Sequence, residues 1–509
     1  MNAPSGRGRA IALHAADNVL VALDALPVGS PLGDGLISRE AVPSGHKLAR
    51  RAIAAGEAIV KLGQTMGFAS AAIAAGNHVH VHNVALHDFE RQALERGETV
   101  RRPAPAAGEA SHFQGYRRAD DRAGTRNYIG IVATVNCAAT VARAIAAQFS
   151  ELVLADFPRV DGVAAFAHGS GCGMTRGDGL AILQRTLAGF ARHPNLGGVL
   201  VLGLGCEVNQ GSELFERYGL VESELCQFAT IQELGGTRAA IADGVRRVRE
   251  MLPLVNRAER APIPVSELSL GLKCGGSDGY SGISANPALG VAADLLVAAG
   301  GTVILSETPE IYGAEHLLYS RARSPEVAER LRARIGWWQE YLRRHGAEMD
   351  NNPSPGNKSG GISTILEKSL GAVAKSGTSA LSGVFEYAEP IRQRGLVFMD
   401  SPGYDPCSVT GQIASGANVV CFTTGRGSVF GSKPVPTLKL STNTALFERM
   451  GDDIDVNCGT IIDGSATIEE VGQQILREVI AVASGKRSRS EDNGLGNEEF
   501  VPWILGATV

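Results

Sequence analysis

Hydrophobic and polar residues follow two different periods along this chain. Between residues 10 and 87, short apolar runs are separated by glycine-containing turns, and this spacing predicts a small all-β module. From residue 113 onward, apolar strand-like runs alternate with amphipathic stretches of helical length. Such alternation is typical of a parallel sheet covered by helices, so we predict an α/β fold for most of the chain.

Two breaks divide the pattern into domains. Residues 88–112 are rich in charge, proline and alanine, which predicts a semi-extended linker, and a second proline-rich break falls at 252–264. After that break the alternation resumes, which indicates another open α/β domain. We therefore predict an all-β domain at 1–87, a linker at 88–112, a middle α/β domain at 113–260 and a C-terminal α/β domain at 261–509.

The α/β regions contain several elements that the pattern defines clearly. The predicted strands are continuous apolar runs suited to a buried parallel sheet, at 128–135, 197–203, 268–273, 301–306, 395–400 and 417–424. The predicted helices are 138–149, 237–251, 286–299, 326–345, 362–375 and 467–484.

The composition excludes several classes of function. With 509 residues, of which 44% are hydrophobic and 20% charged, and a mean hydropathy of +0.02, the chain is globular rather than disordered. A net charge of −5 provides no basic field for nucleic acid or an anionic membrane. No stretch approaches the roughly 20 apolar residues of a spanning helix, and the N-terminus lacks the apolar core of a secretory signal. We therefore expect a cytoplasmic protein.

Three of the eight cysteines share one local setting. Cys172, Cys206 and Cys274 each follow an apolar strand-like run and lie in a glycine-rich turn. In an open α/β sheet such turns lie at the carboxyl edge, where ligands bind, so we predict that the three thiols converge on one point. The alternative is that each is a small buried residue after a strand, because free cysteine is among the most buried residue types.

Three converging thiolates indicate iron or zinc, and a missing fourth ligand leaves a position for Lewis-acid chemistry on a substrate oxygen. Two forms of such a site stay open. One is a [4Fe-4S] cluster with one open iron, and the other is a mononuclear Fe(II) that also uses His168, Glu207 or Asp278. Few, widely spaced cysteines fit metal or catalytic use better than a disulfide framework.

Polar side chains at the predicted strand ends suit an acidic, hydroxyl-rich ligand. Arg426 lies between two glycines and is the best candidate to bind a carboxylate through two hydrogen bonds. Asn357 and Lys358 follow a Pro-Gly turn before a predicted helix, which places donors around an anion. Glu307 and Glu310 lie at another strand end. The predicted substrate-binding residues are Ser277, Asp278, Asn357, Lys358, Thr423, Thr424 and Arg426.

Histidines and one lysine near turns are the candidates for proton transfer. These predicted catalytic residues are His14, His46, Lys47 and His168. The alternating His78, His80 and His82 lie on one face of a predicted strand. Because no acidic or cysteine partner lies nearby at ligand spacing, we interpret these three as an exposed polar face rather than as metal ligands.

Several longer motifs occur in a fixed order along the chain. They are Leu13-His14, Gly45-His46-Lys47, His168-Gly-Ser-Gly-Cys172-Gly, Gly205-Cys206-Glu207, Cys274-Gly-Gly-Ser-Asp278, Pro355-Gly-Asn357-Lys358, Ile365-Leu-Glu367-Lys368 and Thr423-Thr-Gly-Arg426-Gly. Over nearly its whole length the sequence therefore resembles the altronate dehydratase/galactarate dehydratase family, sugar-acid dehydratases related to a sulfolactate sulfo-lyase. The form of the motif at His168 is closer to the altronate branch.

The resemblance implies a fold, a cofactor and an assembly. The expected fold is a small β-clip (SAF-like) N-terminal domain, a long linker, a middle α/β domain involved in dimerisation and a C-terminal Rossmann-like domain with a parallel sheet. It also implies dependence on iron. A homodimer with a small-molecule sugar acid as its partner is the corresponding expectation.

We predict a hydro-lyase that acts on an altronate-like aldonate or a galactarate-like aldarate. A base removes the proton α to the carboxylate, the β-hydroxyl leaves, and the enol tautomerises to a 2-keto-3-deoxy acid. Alternatives are a sulfo-lyase acting on sulfolactate and a non-catalytic sugar-acid-binding protein. A nicotinamide dehydrogenase is disfavoured, because Gly203-Leu-Gly205 lacks the third glycine of the dinucleotide fingerprint.

Overall fold

The computed structural model describes residues 9–87 and 111–506, so nearly all of the predicted linker at 88–112 lies outside the described residues. The N-terminal domain is built from short antiparallel strands. They are β1 (Ala10–Ile11), β2 (Val19–Ala22), β3 (Pro31–Gly33), β4 (Leu36–Ile37), β5 (Lys47–Ala49), β6 (Ala58–Lys61), β7 (Gln64–Ala69), β8 (His78–Val79) and β9 (Val84–Ala85). Three small sheets result, in the orders β1-β2-β5-β8, β3-β4 and β6-β7-β9.

The middle region is a parallel sheet with helices on both faces. Its elements are β10 (His112–Arg117), β11 (Ala123–Gly124), β12 (Tyr128–Ala133), α1 (Asn136–Ala146), α2 (Glu151–Leu154), β13 (Gly162–Phe166), α3 (Asp178–Ala191), β14 (Leu196–Gly203), α4 (Gly211–Tyr218), β15 (Cys226–Thr230), α5 (Thr237–Val255) and β16 (Arg260–Pro264). The four central strands pair in the order β13-β12-β14-β15, all parallel. Helices α1 and α5 cover one face and α3 covers the other, which buries the continuous apolar strands on both sides.

The C-terminal region is a larger sheet of the same kind. Its elements are β17 (Ser269–Cys274), α6 (Ala285–Ala298), β18 (Thr302–Leu305), α7 (His316–Tyr319), α8 (Pro325–Arg344), α9 (Pro355–Ser359), α10 (Ile365–Ala374), β19 (Leu381–Phe385), β20 (Gly395–Met399), α11 (Asp405–Ser415), β21 (Val419–Thr424), β22 (Thr437–Ser441), α12 (Thr444–Arg449), β23 (Val456–Asn457), α13 (Thr460–Asp463), α14 (Ile468–Ala483) and α15 (Arg489–Asp492). Its seven strands are all parallel, in the order β19-β20-β18-β17-β21-β22-β23.

The chain order of these strands creates a switch point beside β17. Strand β18 pairs with one side of β17, whereas β21 pairs with the other. The loops after β17 and its neighbours therefore diverge and leave a crevice at the carboxyl edge, which is where open α/β sheets bind ligands. Cys274, the last residue of β17, lies at the base of that crevice.

The predicted elements are present with small differences at their ends. The helix predicted at 237–251 continues to Val255, and the helix predicted at 326–345 begins at Pro325. The strand predicted through His82 is wrong in extent, because only His78–Val79 pairs. A turn follows at once, held by the hydrogen bond from Asn83 Nδ2 to the His78 carbonyl. Within the described residues, no helix combines the length and apolar character needed to cross a bilayer.

Candidate active site

Four turns meet in the crevice where the N-terminal domain packs on the carboxyl edge of the C-terminal sheet. The Gly279 N–H donates to the Gly360 carbonyl at 2.8 Å, and His46 Nε2 lies 3.2 Å from the Ser359 carbonyl. A methyl group built on Gly360 would lie 3.1 Å from Asp278 and 3.2 Å from Arg426. Asp278, Lys358, Arg426 and the His46 turn, which the sequence predicts as site residues, therefore lie in one place.

Under the crevice, Glu307 is shared by two buried lysines. It forms ion pairs with Lys273, from β17, and with Lys375, at the end of α10, whose Nζ lies 2.8 Å from Glu307. All three side chains are fully buried. Glu307 has a φ of 73°, which non-glycine residues rarely adopt, and this strain places its carboxylate between the two ammonium groups.

Cys274 and Glu310 extend this buried group toward the cavity. Lys375 Nζ lies 2.9 Å from Cys274 Sγ, and Lys368 Nζ lies 2.9 Å from a Glu310 oxygen. Burial raises the pKa of the Cys274 thiol, although Lys375 opposes this shift. Burial also tends to raise the pKa of Glu310, but the ammonium groups of Lys368, Lys273 and Lys375 lower it to about 2.

A cavity of about 520 Å³ opens above this group. Cys274, Glu310, Asn352, Lys368 and Asp405 line it. Asn352 contacts both charges, because its amide nitrogen donates to Glu310 at 2.8 Å and its oxygen accepts from Lys368 at 2.6 Å. The cavity is large enough for a small polyhydroxy acid, and its polar wall offers donors and acceptors for such a ligand.

A second buried ion group joins the N-terminal domain to α10. Lys47 and Lys61 approach the two oxygens of Glu367 at 2.8 and 2.7 Å, and the Ser363 N–H also donates to this carboxylate. Burial, together with the neighbouring Lys61 ammonium group, lowers the pKa of Lys47 to about 8, although Glu367 opposes this shift. The same two lysines outweigh burial and lower the pKa of Glu367 to about 2.

Three histidines form a nitrogen-rich group at the same interface. The ligand atoms of His46, His78 and His80 all lie within 4.8 Å of one another. Burial lowers the pKa of His78 to about 3 and that of His80 to about 4, so both rings are neutral at pH 7. A carbonyl only accepts hydrogen bonds, so Nε2 of His46 carries the hydrogen toward Ser359, and Nδ1 accepts from His78 Nε2 at 3.0 Å.

This group corrects the interpretation of His78 and His80 as an exposed polar face. Both are half-buried, and only His82 is exposed. The partner that the sequence did not reveal is His46, which reaches them from another turn, while Glu40 forms a second group with His78 and His82. Sequence spacing along one strand cannot detect ligands that come from two other turns.

Some of the predicted substrate-binding side chains already form hydrogen bonds within the protein, and others do not. Among the described residues, Arg426 and Lys358 have no hydrogen bond or ion pair to their charged groups. Asp278, in contrast, is buried and accepts from Ser281 and Thr442. The Asn357 amide, Thr423 and Thr424 are likewise bonded locally, and Ser277 is buried with its carbonyl accepting from Asn357.

The other two predicted catalytic histidines form hydrogen bonds within the protein, through one ring nitrogen of His14 and through both ring nitrogens of His168. His14 is exposed, in a turn packed on Gly63, and its Nδ1 accepts from the Ala16 N–H. His168 lies in the middle region, where Nε2 donates to the Ala133 carbonyl and Nδ1 accepts from the Ser170 N–H. That bonding fits a structural role for the loop of His168 better than proton exchange with a substrate.

The predicted metal ligands lie in two regions. Cys274 belongs to the buried C-terminal group, whereas Cys172 and Cys206 are exposed in loops of the middle region. Where the structure describes the chain, no group of three ligand atoms within 4.8 Å contains Cys172 or Cys206. Convergence of the three cysteines stays a prediction.

The donor sets differ in their suitability for iron. The set of Cys274, Glu307 and Glu310 is already neutralised by three lysines, so a cation there would compete with buried ammonium groups. The neutral imidazoles of His46, His78 and His80 fit a single Fe(II), because imidazole is a common ligand of that ion. Exposed thiols such as Cys172 and Cys206 fit an iron–sulfur cluster.

Sequence reasoning missed the lysines at the centre of the site. Lys273 ends an apolar strand run, and Lys375 follows an apolar helix. A lysine next to a long apolar segment can be recognised from the sequence as unusual, because lysine is rarely buried unless it is paired with an opposite charge. The sequence could identify these residues as unusual, but it could not identify Glu307 as their partner.

Three domain families match the chain in order. They are the altronate/galactarate dehydratase SAF domain at residues 8–87, the D-galactarate dehydratase/altronate hydrolase second domain at 115–256, and the D-galactarate/altronate dehydratase C-terminal domain at 265–508.

Relatives that align with nearly the whole chain are dehydratases of the same sugar acids. An altronate dehydratase of Bacillus subtilis (strain 168) is 38% identical over 502 residues, which cover 98% of this chain and 99% of the relative. An altronate dehydratase of Escherichia coli (strain K12) is 37% identical, covering 95% and 97%. A galactarate dehydratase (L-threo-forming) of the same strain is 38% identical, covering 96% and 95%.

Proposed function

This chain belongs to the altronate/galactarate dehydratase family and is a hydro-lyase, and from that premise we propose that it converts a sugar acid to a 2-keto-3-deoxy acid in the crevice between its N- and C-terminal domains. The observation that carries the proposal is the meeting of His46, Asp278, Gly360 and Arg426 above a buried lysine group. The substrate is an altronate-like aldonate or a galactarate-like aldarate.

The substrate carboxylate binds to the free cations of the crevice. Arg426 supplies a planar guanidinium that matches a carboxylate, and Lys358 supplies a second positive charge two residues before Gly360. Charge that develops on the carboxylate side as the α-proton leaves is stabilised by the same cations. Neither residue must break an existing ion pair among the described residues to do this.

His46 and Lys47 exchange protons with the substrate. Burial lowers the pKa of His46 below its ordinary value, so the ring is neutral and able to accept a proton at pH 7. The pKa of Lys47, near 8, lies close enough to neutrality for proton exchange. Abstraction of the α-proton gives an enolate of the carboxylate, loss of the protonated β-hydroxyl as water gives the enol, and tautomerisation of the enol gives the 2-keto-3-deoxy acid.

Iron is the proposed cofactor, as Fe(II) or as a [4Fe-4S] cluster with one open iron. When bound, it polarises the leaving hydroxyl as a Lewis acid. Cys172, Cys206 and Cys274 would hold the cluster, whereas His46, His78 and His80 would hold a single Fe(II). The second arrangement would remove His46 from proton transfer. We also propose a homodimer through the middle domain, which sedimentation of the purified protein tests.

The experiment is an anaerobic purification followed by assays on one preparation. Iron and acid-labile sulfide are quantified, and 2-keto-3-deoxy acid is measured after incubation with altronate and with galactarate. A keto product from either acid supports the proposal, and sulfite release from sulfolactate without any keto product would replace it with a sulfo-lyase. His46→Gln, assayed in 2H2O for exchange at the substrate α-carbon, tests the assignment of the base.

A further inference from the structure

A second large cavity lies between the middle and C-terminal domains, at the amino edge of the C-terminal sheet. Its volume is about 550 Å³. One wall comes from α3 and from the turn between β10 and β11. The other wall includes Ser269 and Thr302, which begin β17 and β18, and Asn418, just before β21. Strands rise about 3.3 Å per residue, so the length of β17 places this cavity about 17 Å from Cys274 in the crevice.

Five arginines line this cavity, together with two carboxylates. The arginines come from three segments of the chain and are Arg122, Arg185, Arg192, Arg392 and Arg394, and the carboxylates are Asp120 and Glu267. The whole chain has a net charge of −5, so this concentration of positive charge is a local feature. A concave wall with one sign of charge focuses the electric field and attracts small ions of the opposite sign.

Three of the five arginines are paired with carboxylates. The pairs are Arg122 with Asp120 at 2.6 Å, Arg185 with Glu386 at 3.0 Å, and Arg394 with Glu267 at 2.7 Å. Both carboxylates of the wall are used in these pairs. The wall therefore keeps two positive charges, those of Arg192 and Arg392, which no carboxylate of the wall balances.

Arg192 and Arg392 present unbonded guanidinium groups to the cavity. Among the described residues, neither group has a hydrogen bond or an ion pair. Arg192 directly follows α3 and is half-buried, whereas Arg392 is exposed in the loop before β20. Each guanidinium carries five N–H donors, so an anion in the cavity can bind both side chains without breaking an existing contact.

The positive charges of this wall also act on one another. Burial lowers the pKa of Arg192 below its ordinary value, and the guanidinium groups of Arg122 and Arg392 lower it further. The three side chains therefore lie close enough to repel one another. Like charges that are held together and partly removed from water cost stability, and a bound anion offsets that cost.

Three other polar side chains of the wall carry no charge at neutral pH. Burial lowers the pKa of His193 to about 3, and its ring bonds to the Ala417 carbonyl and the Asn195 N–H. Burial raises the pKa of the Tyr218 hydroxyl. Asn418 is neutral, and its amide is bonded to backbone groups. These side chains neither balance the two arginines nor compete with them for an anion.

A phosphate monoester matches this wall better than a monocarboxylate does. It carries close to two negative charges at pH 7, which equals the unbalanced charge, and its three oxygens accept strong hydrogen bonds. Guanidinium groups bind such oxygens through pairs of parallel N–H bonds. Arg192 belongs to the middle domain and Arg392 to the C-terminal domain, so a phosphate between them contacts both walls. The volume is sufficient for a phosphorylated molecule of sugar size.

We propose that this cavity binds a small phosphate monoester, and that Arg192 and Arg392 bind its phosphate from the two domains. Because the ligand contacts both walls, it stabilises the packing of the middle domain on the C-terminal domain. The site is separate from the crevice, and the proposal depends neither on the dehydration reaction nor on its cofactor.

The test measures the binding of glucose 6-phosphate to the full chain by calorimetry at low ionic strength. Arg192→Gln and Arg392→Gln are each expected to raise Kd at least tenfold, because each removes a charge-assisted contact. Arg477→Gln is the matched control, since Arg477 is exposed on α14, outside the cavity, and unpaired among the described residues. It should bind like the wild type. An equal Kd in all four proteins would overturn the proposal.

The crevice is a competing site for phosphate, because Arg426 and Lys358 are also unpaired within the described residues. Arg426→Ala is therefore the second control, and we expect it to bind glucose 6-phosphate like the wild type. Loss of binding in Arg426→Ala, with full binding in Arg192→Gln, would place the phosphate in the crevice and overturn the proposal.

A measurement on the wild type covers the case in which a variant does not fold. Hydrogen–deuterium exchange is compared with and without glucose 6-phosphate. The end of α3 and the loop before β20 should exchange more slowly with the ligand, while the loop of Arg426 should not change. Protection confined to the loop of Arg426 would contradict the proposal.

Succinate tests the chemical class of the ligand, because it carries two negative charges on planar carboxylates. It should bind the wild type at least tenfold more weakly than glucose 6-phosphate. Tighter binding of succinate, lost in Arg192→Gln and Arg392→Gln, would overturn the assignment of a phosphate monoester and replace it with a dicarboxylate.

Discussion

The carboxyl edges of the middle and C-terminal sheets begin from the same local sequence and end in opposite environments. In both, an apolar strand leads into a glycine-rich turn with a cysteine. Cys274 is 2% exposed and contacts Lys375, whereas Cys172 and Cys206 are exposed. A turn motif therefore places a thiol at a sheet edge, but the residues packed over that edge decide what the thiol can do.

The two edges also differ in how they stabilise carboxylates. At the C-terminal edge, Glu307 and Glu310 are paired with buried lysines. At the middle edge, Glu207 is bonded to backbone N–H groups and a hydroxyl. The first arrangement keeps charged groups beside a cavity, while the second stabilises the conformation of a loop. Four predictions test this contrast, in order of decreasing effect.

The largest effect is expected at Lys47, where the N-terminal domain meets the C-terminal edge. Lys47→Met should lower kcat by about 10²–10⁴-fold, because it removes a group that exchanges protons. In the wild type, the rate should fall as the pH rises above about 8, since Lys47, as the acid that complements the base His46, must carry its proton to transfer it to the leaving hydroxyl. A pH–rate profile measures both.

Lys61→Met is the control that separates catalysis from packing. Lys61 shares Glu367 with Lys47 and lowers the pKa of Lys47. Its removal should move the falling limb of the profile to higher pH without abolishing it. A profile that is the same in both proteins would show that Lys47 does not titrate in the reaction.

Glu307→Gln should be the most destabilising change in the buried lysine group. It leaves Lys273 and Lys375 buried without their shared carboxylate, which costs about 3–5 kcal/mol in such cases. Glu207→Gln is the counterpart at the middle edge, where an amide replaces a carboxylate that only accepts hydrogen bonds, at a cost of about 1–3 kcal/mol. Urea unfolding of both variants measures the difference, and equal losses would contradict the contrast.

Acid should weaken the junction between the N-terminal domain and α10. The folded pKa of Glu367 is about 2, below its ordinary value of 4.5, so the carboxylate adds stability that is fully present above pH 4.5. That stability, about 3 kcal/mol, is lost as the pH falls from 4.5 to 2. Unfolding free energies measured over this range should fall less steeply in Glu367→Gln, which lacks the titration.

Arg426→Ala should have the smallest effect on stability and a selective effect on binding. Arg426 is exposed and has no ion pair among the described residues, so its removal breaks no buried contact. Loss of a carboxylate contact should raise KM about tenfold or more with little change in unfolding free energy. Arg426→Lys, which keeps the charge but not the planar fork, should recover only part of the loss. An unchanged KM in both would remove Arg426 from the site.

Much of the fold could be predicted from sequence, because a long apolar run indicates a buried strand and an amphipathic stretch indicates a helix. The helix at 237–251 and the strand at 417–424 are present for this reason. The strand through His82 is wrong, because one asparagine side chain closes a turn that the alternation does not reveal. Part of the crevice was also predictable, since Asp278, Lys358 and Arg426 follow strands or turns at one edge.

What the sequence by itself determined is the family, the order of elements and the positions of cysteines and polar turns, since each depends on residues close together in the chain. Only the tertiary structure decided which charged and polar side chains contact one another. Lys47 meets Glu367 across 320 positions and Lys375 meets Cys274 across 101. Buried charge is stable only when an opposite charge or a donor lies beside it, and those neighbours are brought together by packing rather than by sequence spacing.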